Sequence, residues 1–452
     1  MLRAVPRLLE RLGLGRPELR AWAMYDWANS AWVLTIQTAV FPIYFERVAA
    51  AGFEQGVALQ RYGWISSGAL VVIALAAPIL GALADFAGIR KRMLGVFLAL
   101  GAVATSCLFF VQQGDWLMAA LLFGAANIGA QGAFVFYDSL LGHVARPDEI
   151  DRVSTAGYAA GYLGSAILLT LQLAWIFYPG SFGLPSGEDL SPSDSTLPQR
   201  LAFVSVAVWW VAFSIPLFRR VPEPPRRIEP DERPGLNPVR TALVRLGETF
   251  RDLRSYRHAF LMLVAFLIYN DGIGTIIRMG AIYAADLDIA TGVIVGSVLL
   301  AQVVGIPFAF LFGGLAGRIG PKRAILLGLA VYVLVTIYAF FLDTAWEFLT
   351  LSMIVATVQG GTQALSRSLF TSMVPRHRTG EFFGFYGVLD KVGGATGPFV
   401  FATMAALSGS SRVGIISILV FFVVGSILLT RVDVEAGRKA ARAAERDLVP
   451  LE

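Results

Sequence analysis

The sequence predicts an all-α integral membrane protein of twelve transmembrane helices in two pseudo-symmetric six-helix bundles. Three observations carry that prediction. The first is composition: of 452 residues, 56% are hydrophobic and 15% are charged, with a mean hydropathy of +0.65. A soluble domain carries about 25% charged residues. The second is a series of apolar stretches of roughly 20 residues, each long enough to cross about 30 Å of hydrocarbon as a helix. The third is an internal repeat. Gly81-Ala82-Leu83-Ala84-Asp85-Phe86-Ala87-Gly88-Ile89-Arg90-Lys91 returns 232 positions later (313 − 81) as Gly313-Gly314-Leu315-Ala316-Gly317-Arg318-Ile319-Gly320-Pro321-Lys322-Arg323.

In order, the predicted spans are 22–49, 61–84, 93–111, 116–142, 153–178, 201–218, 258–284, 291–316, 324–342, 346–374, 381–406 and 412–430. None alternates with a period of two, as a membrane barrel strand must, and helices satisfy their own backbone in lipid. The chain divides into an N-terminal bundle with a short amphipathic N-terminus (1–220), a linker (221–256), a C-terminal bundle (257–431) and a tail (432–452). The linker opens on Val221-Pro222-Glu223-Pro224-Pro225-Arg226-Arg227. Within it, Asn237-Pro238 reads as an N-cap with a first-turn proline. Val239, Leu243, Leu246, Phe250 and Leu253 then share one face, as in a helix lying on the membrane surface. Leu2 to Leu12 reads the same way, and Ala436 to Arg446 as a basic helix.

Cations alternate between loops. Arg90-Lys91-Arg92, Arg146 and Arg152, Arg318 with Lys322-Arg323, and Arg376 with Arg378 occupy every second loop. The intervening loops are mainly acidic, with Arg47, Arg61 and Arg200 as exceptions. The positive-inside rule places both termini and the linker in the cytoplasm, in a protein of the cytoplasmic membrane. Arg3, Arg7, Arg11, Arg16 and Arg20 break up the first 20 residues, so no signal peptide is read there. Cys107 is the only cysteine, which leaves no disulfide framework or thiolate metal site, and no cofactor is expected. The charge of +5 is assigned to contact with membrane lipids rather than nucleic acid, because the basic residues flank spans.

Grouped into four triplets, the spans show a pattern. Each third member has no charged residue in its interior and can face lipid, whereas each first member carries a polar stripe at helical spacing. The stripes are Asp26, Asn29, Ser30 and Gln37 in the first span; Asn127, Gln131 and Asp138 in the fourth; Asp271, Gly274, Thr275 and Arg278 in the seventh; and Gln359, Gln363 and Arg367 in the tenth. A charge at the bilayer centre costs about 3 kcal/mol or more, so the stripes are expected to surround one central path. The amides among them, with Asn270, are candidates for solute contact, or alternatively plain interhelical partners. Asp271 and Arg278 are two turns apart, about 10 Å along the axis, too far for a direct pair.

Asp138 and Arg367 occupy nearly corresponding places in the two halves, 229 apart (367 − 138), which suggests that they meet as an inner gate; the alternative is that each anchors its own helix. Asp390 and Lys391 point in directions about 100° apart and each needs its own partner. His143, His258 and His377 read as interfacial.

The loop beginning at Gly81 resembles the signature between the second and third helices of the major facilitator superfamily. Gly81 and Gly88 allow close approach and a tight turn, while Asp85 can sit at the positive end of another helix. Arg90 and Lys91 hold the interface. The resemblance implies that Asp85 bridges toward the eleventh helix and stabilises the outward-facing state, a contact the second copy lacks because Gly317 replaces the Asp.

Longer strings resemble one branch of that superfamily, the vacuolar effluxer-like proteins. They are Tyr25-Asp26-Trp27-Ala28-Asn29-Ser30-Ala31, Phe41-Pro42-Ile43-Tyr44-Phe45, Gly161-Tyr162-Leu163-Gly164, Tyr269-Asn270-Asp271-Gly272, Gln363-Ala364-Leu365-Ser366-Arg367-Ser368 and Glu381-Phe382-Phe383-Gly384-Phe385-Tyr386. The resemblance implies a secondary transporter working by alternating access, with amino acids the solutes associated with fungal members. Two departures, Gly274 in place of a Gln and Asp390 in place of a Gly, stand where the cavity is expected. The expected partners are a small solute, protons at Asp271 or Asp26, and lipid. No Gly-x-x-x-x-Gly-Lys-Ser/Thr loop powers it directly. A drug or lipid exporter of the same fold is the alternative. A receptor or scaffold needs a larger output domain than the short tail, and no catalytic cluster supports an enzyme.

Overall fold

The computed structural model describes residues 9–10, 12–53, 57–187, 189–225, 227–228, 256–394, 396–446 and 449–450. The expected surface helices at Leu2–Leu12 and 237–253 lie almost wholly outside these residues. Twelve spans follow one another. The first, α1, is Pro17–Trp32 continued by π-helical turns Val33–Ala39 and Phe45–Ala49 on either side of Phe41–Tyr44. Then come α2 (Val57–Ala87), α3 (Arg90–Cys107), α4 (Trp116–Val144), α5 (Ile150–Phe177) and α6 (Pro192–Arg220). The second half holds α7 (Arg257–Asp286), α8 (Thr291–Ile319), α9 (Pro321–Ala339) and α10 (Ala345–Thr371). The last two spans are each in two pieces: α11 (Thr379–Gly393 and Thr396–Ser408) and α12 (Ser411–Ser417 and Leu419–Thr430). Among the described residues, ten helices are long and apolar enough to cross a membrane by themselves, and the interrupted α1 and α11 complete the twelve. The tail forms α13 (Val434–Arg446).

Local chemistry sets the boundaries. Proline stands in the first turn of α1, α6 and α9, where its missing N–H costs nothing. The turns α2–α3 and α8–α9 each need a left-handed residue, and the two copies of the repeat supply Gly88 (φ 64) and Gly320 (φ 86) at the same place. A capping box starts α10: Thr344 Oγ1 accepts from Glu347 N, and Glu347 Oε2 accepts from Thr344 N. Thr344→Ala is expected to lower stability by about 1 kcal/mol, seen as a small drop in apparent melting temperature in detergent. An unchanged transition would assign the box no energetic role.

Two apolar cores form. One is built from residues between Leu19 and Val221, the other from residues between Ala259 and Val432 joined by Ala77 and Val135 of the first half. The third helix of each triplet turns an apolar row outward: Val96, Leu100 and Val103 on α3, Val208, Val211 and Ile215 on α6, Leu327, Leu334 and Phe341 in and just after α9, and Val420, Val423 and Ile427 on α12. These are exposed because hydrocarbon, not water, is their solvent. Across the halves, α2 packs along α11 and α5 along α8.

Candidate functional site

Arg367 is the hub. It lies on α10 with its side chain 4% exposed, and its fork reaches three helices of the other half. Nη1 donates to Asp138 Oδ1 at 2.9 Å, and Nη2 to Asp26 Oδ2 at 3.1 Å and to the Ser154 carbonyl at 3.0 Å. Nε donates to Ser154 Oγ at 2.9 Å. The Tyr137 hydroxyl donates to the same Asp26 oxygen at 2.8 Å. The rings of Trp22 and Tyr158 lie 4.8 and 4.7 Å from the guanidinium carbon, within cation–π range. One guanidinium is thus shared by two carboxylates in a buried setting, where losing one partner typically costs about 3–5 kcal/mol.

The cluster depends on close approach of α5 to α1, made by Gly157, Gly161 and Gly164 at helical spacing. A methyl on Gly157 would lie 3.0 Å from the Trp22 ring and 3.2 Å from Arg367 Nη2. On Gly164 it would lie 2.8 Å from the Trp27 ring. This small-residue row, with Ser154, Tyr137 and Tyr158, is missing from the residues the stripes single out. The row could have been read from the sequence. The aromatics and Ser154 could not, because they look like ordinary core residues.

A second set closes the bundle end that carries Pro17 and α13. Asp85 accepts from Gly380 N at 3.1 Å and Glu381 N at 3.0 Å, so its charge meets the positive, N-terminal end of α11. Arg90 pairs with Asp85 and contacts His143. It also donates to the carbonyls of Arg376 at 3.1 Å and His377 at 2.9 Å. Gly81 rests on the Gly380 carbonyl, where a Cβ would collide. Its repeat partner Gly313 rests on Thr155 in the same way, so the two copies make the α2–α11 and α8–α5 contacts. Gly317 has no carboxylate to offer, and the group nearest a Cβ there is Arg152 Nη2 at 3.7 Å. His143 joins this set through Arg90 and through Thr379 Oγ1 at 3.3 Å. Gly88 provides the turn that brings Asp85 and Arg90 together.

The remaining stripe residues spread along the halves. Asn29 and Asn127 are fully buried, and neither the nitrogen nor the oxygen of either amide has a hydrogen-bond partner. A buried polar atom left without a protein partner costs about 1–3 kcal/mol. Gln131 is also buried. Gln363 Nε2 donates to Asn270 Oδ1 at 3.3 Å, linking α10 to α7. Gln37 sits half-buried in the first π segment, a feature frequent at functional sites, and Gln359 is half-buried on α10.

Asp271, Thr275 and Arg278 meet the break in α11. Asp271 Oδ2 accepts from Gly397 N at 2.7 Å, beside the start of the second piece, and Arg278 Nη2 donates to the Gly394 carbonyl at 2.7 Å, beside the end of the first. Each charge has the sign that complements its helix end. The two side chains do not pair with each other; each serves a different piece of α11. Thr275 Oγ1 donates to the Asp271 carbonyl at 2.6 Å. The side chains of Asp390 and Lys391 lie outside the described residues.

The chain matches the family described as vacuole effluxer Atg22 like over residues 64–442. It is 36% identical over 416 residues to an uncharacterised MFS-type transporter, YxiO, of Bacillus subtilis (strain 168), covering 92% of this chain and 94% of that one. Autophagy-related protein 22-2 of Aspergillus niger is 24% identical over 325 residues, 66% of this chain but 53% of the fungal protein. Among solved structures, the major facilitator transporter FucP in its outward conformation aligns with a TM-score of 0.69 at 13% identity, over 92% of this chain and 100% of FucP. The proton:xylose symporter XylE aligns at 0.67 and 13%, over 94% and 95%. At these identities the two structures speak to fold alone.

Proposed function

This chain belongs to the Atg22-like vacuole effluxer family of major facilitator transporters, and from that premise we propose that it moves small polar solutes, amino acids foremost, by alternating access coupled to a proton at Asp26. The observation that carries the reading is the sharing of Arg367 between Asp26 and Asp138 across the two halves. The inter-half hydrogen bonds described above gather toward the end bearing α13. The positive-inside rule makes that end cytoplasmic, so the state is closed inward.

Opening inward requires Arg367 to leave α1, α4 and α5 together. Two carboxylates and one guanidinium sum to one negative charge, which a single proton neutralises. A proton on Asp26 removes one of the charged acceptors of Arg367 and so lowers the cost of separating the halves. The unpartnered amides of Asn29 and Asn127 supply donors and acceptors suited to a polar solute, not to hydrocarbon. Asp271, engaged with the α11 break, is assigned to shaping the pathway.

Uptake and counterflow of a labelled amino-acid panel in proteoliposomes, with and without a pH gradient, test this. Asp26→Asn is expected to keep exchange of the transported class and to lose accumulation driven by the gradient. Full gradient-driven accumulation in that variant refutes the coupling, and absence of exchange for every amino acid with active wild-type protein refutes the solute class.

A further inference from the structure

Arg61 is one of the cations that breaks the alternation of charge between loops, and the transport reading gives it no task. It lies near the start of α2, at the end of the bundle away from α13. Its guanidinium carbon sits 4.1 Å from the Trp116 ring centre and 4.2 Å from that of Phe53. Directly beside it runs a lateral groove between α2 and α4 of about 490 Å³, within the roughly 300–1,000 Å³ of ordinary ligand sites. Trp116 lines the groove together with Ile65, Gly68, Leu117, Leu121 and Gly124. Leu117 and Leu121 are 54% and 67% exposed, so the groove opens toward hydrocarbon rather than the central path.

The internal repeat provides a comparison within the same molecule. The corresponding place in the second half, between α8 and α10, also holds an apolar groove, of about 480 Å³, lined by Val293, Gly296, Leu300 and Leu349 among others. Shifted by the repeat offset, Leu117 becomes Leu349 and Arg61 becomes Val293. Two equivalent grooves therefore differ in one respect that matters chemically: among the described residues, the first has a cation at its rim and the lining of the second has none.

We propose that the α2–α4 groove is a glycerophospholipid site, in which an acyl chain lies along Gly68 and Gly124 while Arg61 holds the phosphate. The planar guanidinium can donate two parallel hydrogen bonds to phosphate oxygens while its face stays on the rings of Trp116 and Phe53. Gly68 leaves the groove open, because a Cβ there meets nothing within 4 Å. The α8–α10 groove takes hydrocarbon without selecting a headgroup.

The test uses the full-length protein in detergent and does not depend on transport. A fluorophore is placed by Leu121→Cys, or by Leu300→Cys in the second groove, in a Cys107→Ser background. Quenching is titrated with bromoacyl phosphatidylglycerol and with the diacylglycerol carrying the same chains. At position 121 the phospholipid is expected to bind about tenfold more tightly than the diacylglycerol, with Arg61→Ala reducing the ratio to near one and Arg61→Lys falling between. At position 300 the two lipids are expected to bind alike. Gly68→Leu should remove both from the first groove only. Equal binding of the two lipids at position 121 in the wild type overturns the proposal, as does a preference that survives Arg61→Ala or appears at both positions. Elution of each variant as the wild-type species in size exclusion separates loss of the site from loss of the fold.

Discussion

Arg367→Ala is expected to abolish accumulation of solute and to leave the bundle end that carries α13 open. The side chain binds Asp138, Asp26 and both polar groups of Ser154, and its removal strands two carboxylates in a buried place. Taking roughly 3–5 kcal/mol for breaking such a pair, the ratio of closed to open protein should fall on the order of a hundredfold or more. Arg367→Lys keeps the charge but cannot fork to both carboxylates, and should retain weak activity. The three-way geometry also limits what charge reversal can restore. Exchanging Asp138 and Arg367 leaves Asp26 facing a new aspartate, so the double variant is expected to recover only part of the activity. Wild-type accumulation by Arg367→Ala would contradict these expectations.

Gly81→Val should have a comparably large effect through sterics alone. The Gly380 carbonyl occupies the space a Cβ needs, and Asp85 fastens the same turn of α11 by two hydrogen bonds. Backbone cannot rotate away as a side chain can, so closure of this end is blocked. Gly313→Ala is expected to be milder, because the atom in its way is the Thr155 hydroxyl, which can turn. Maleimide modification of Ser368→Cys in a Cys107→Ser background reads the outcome, since Ser368 is fully buried. Protection in the wild type and rapid labelling in Gly81→Val are expected; protection in both would show that the glycine is not required for closure.

Much of this architecture is legible in the sequence, for physical reasons. Lipid imposes apolar runs of fixed length, and the pairing of two halves leaves a repeat whose glycines keep the same tasks, as Gly88 and Gly320 do in turns and Gly81 and Gly313 at contacts. Buried charge is also conspicuous, so Asp26, Asp138 and Arg367 stand out in an apolar chain. The joining of Asp26 to the other two does not stand out: it depends on which way α5 lets α1 approach, a tertiary matter settled by Gly157. Asp271 and Arg278 show a different limit. Their spacing excludes a mutual pair, but only the break in α11 at Gly394 reveals what they face. His143 is indistinguishable from an interfacial residue until Arg90 is placed beside it.

In the proposed mechanism Arg367, shared by Asp26 and Asp138, holds one end of the two halves together. Double electron–electron resonance between spin labels at Asp148→Cys and Arg323→Cys tests it most directly, since both sites are exposed and belong to opposite halves at that end. In the Cys107→Ser background a short, dominant distance is expected, giving way to a longer one in Arg367→Ala and shifting partway in Asp26→Asn. The same short distance in all three proteins would contradict it.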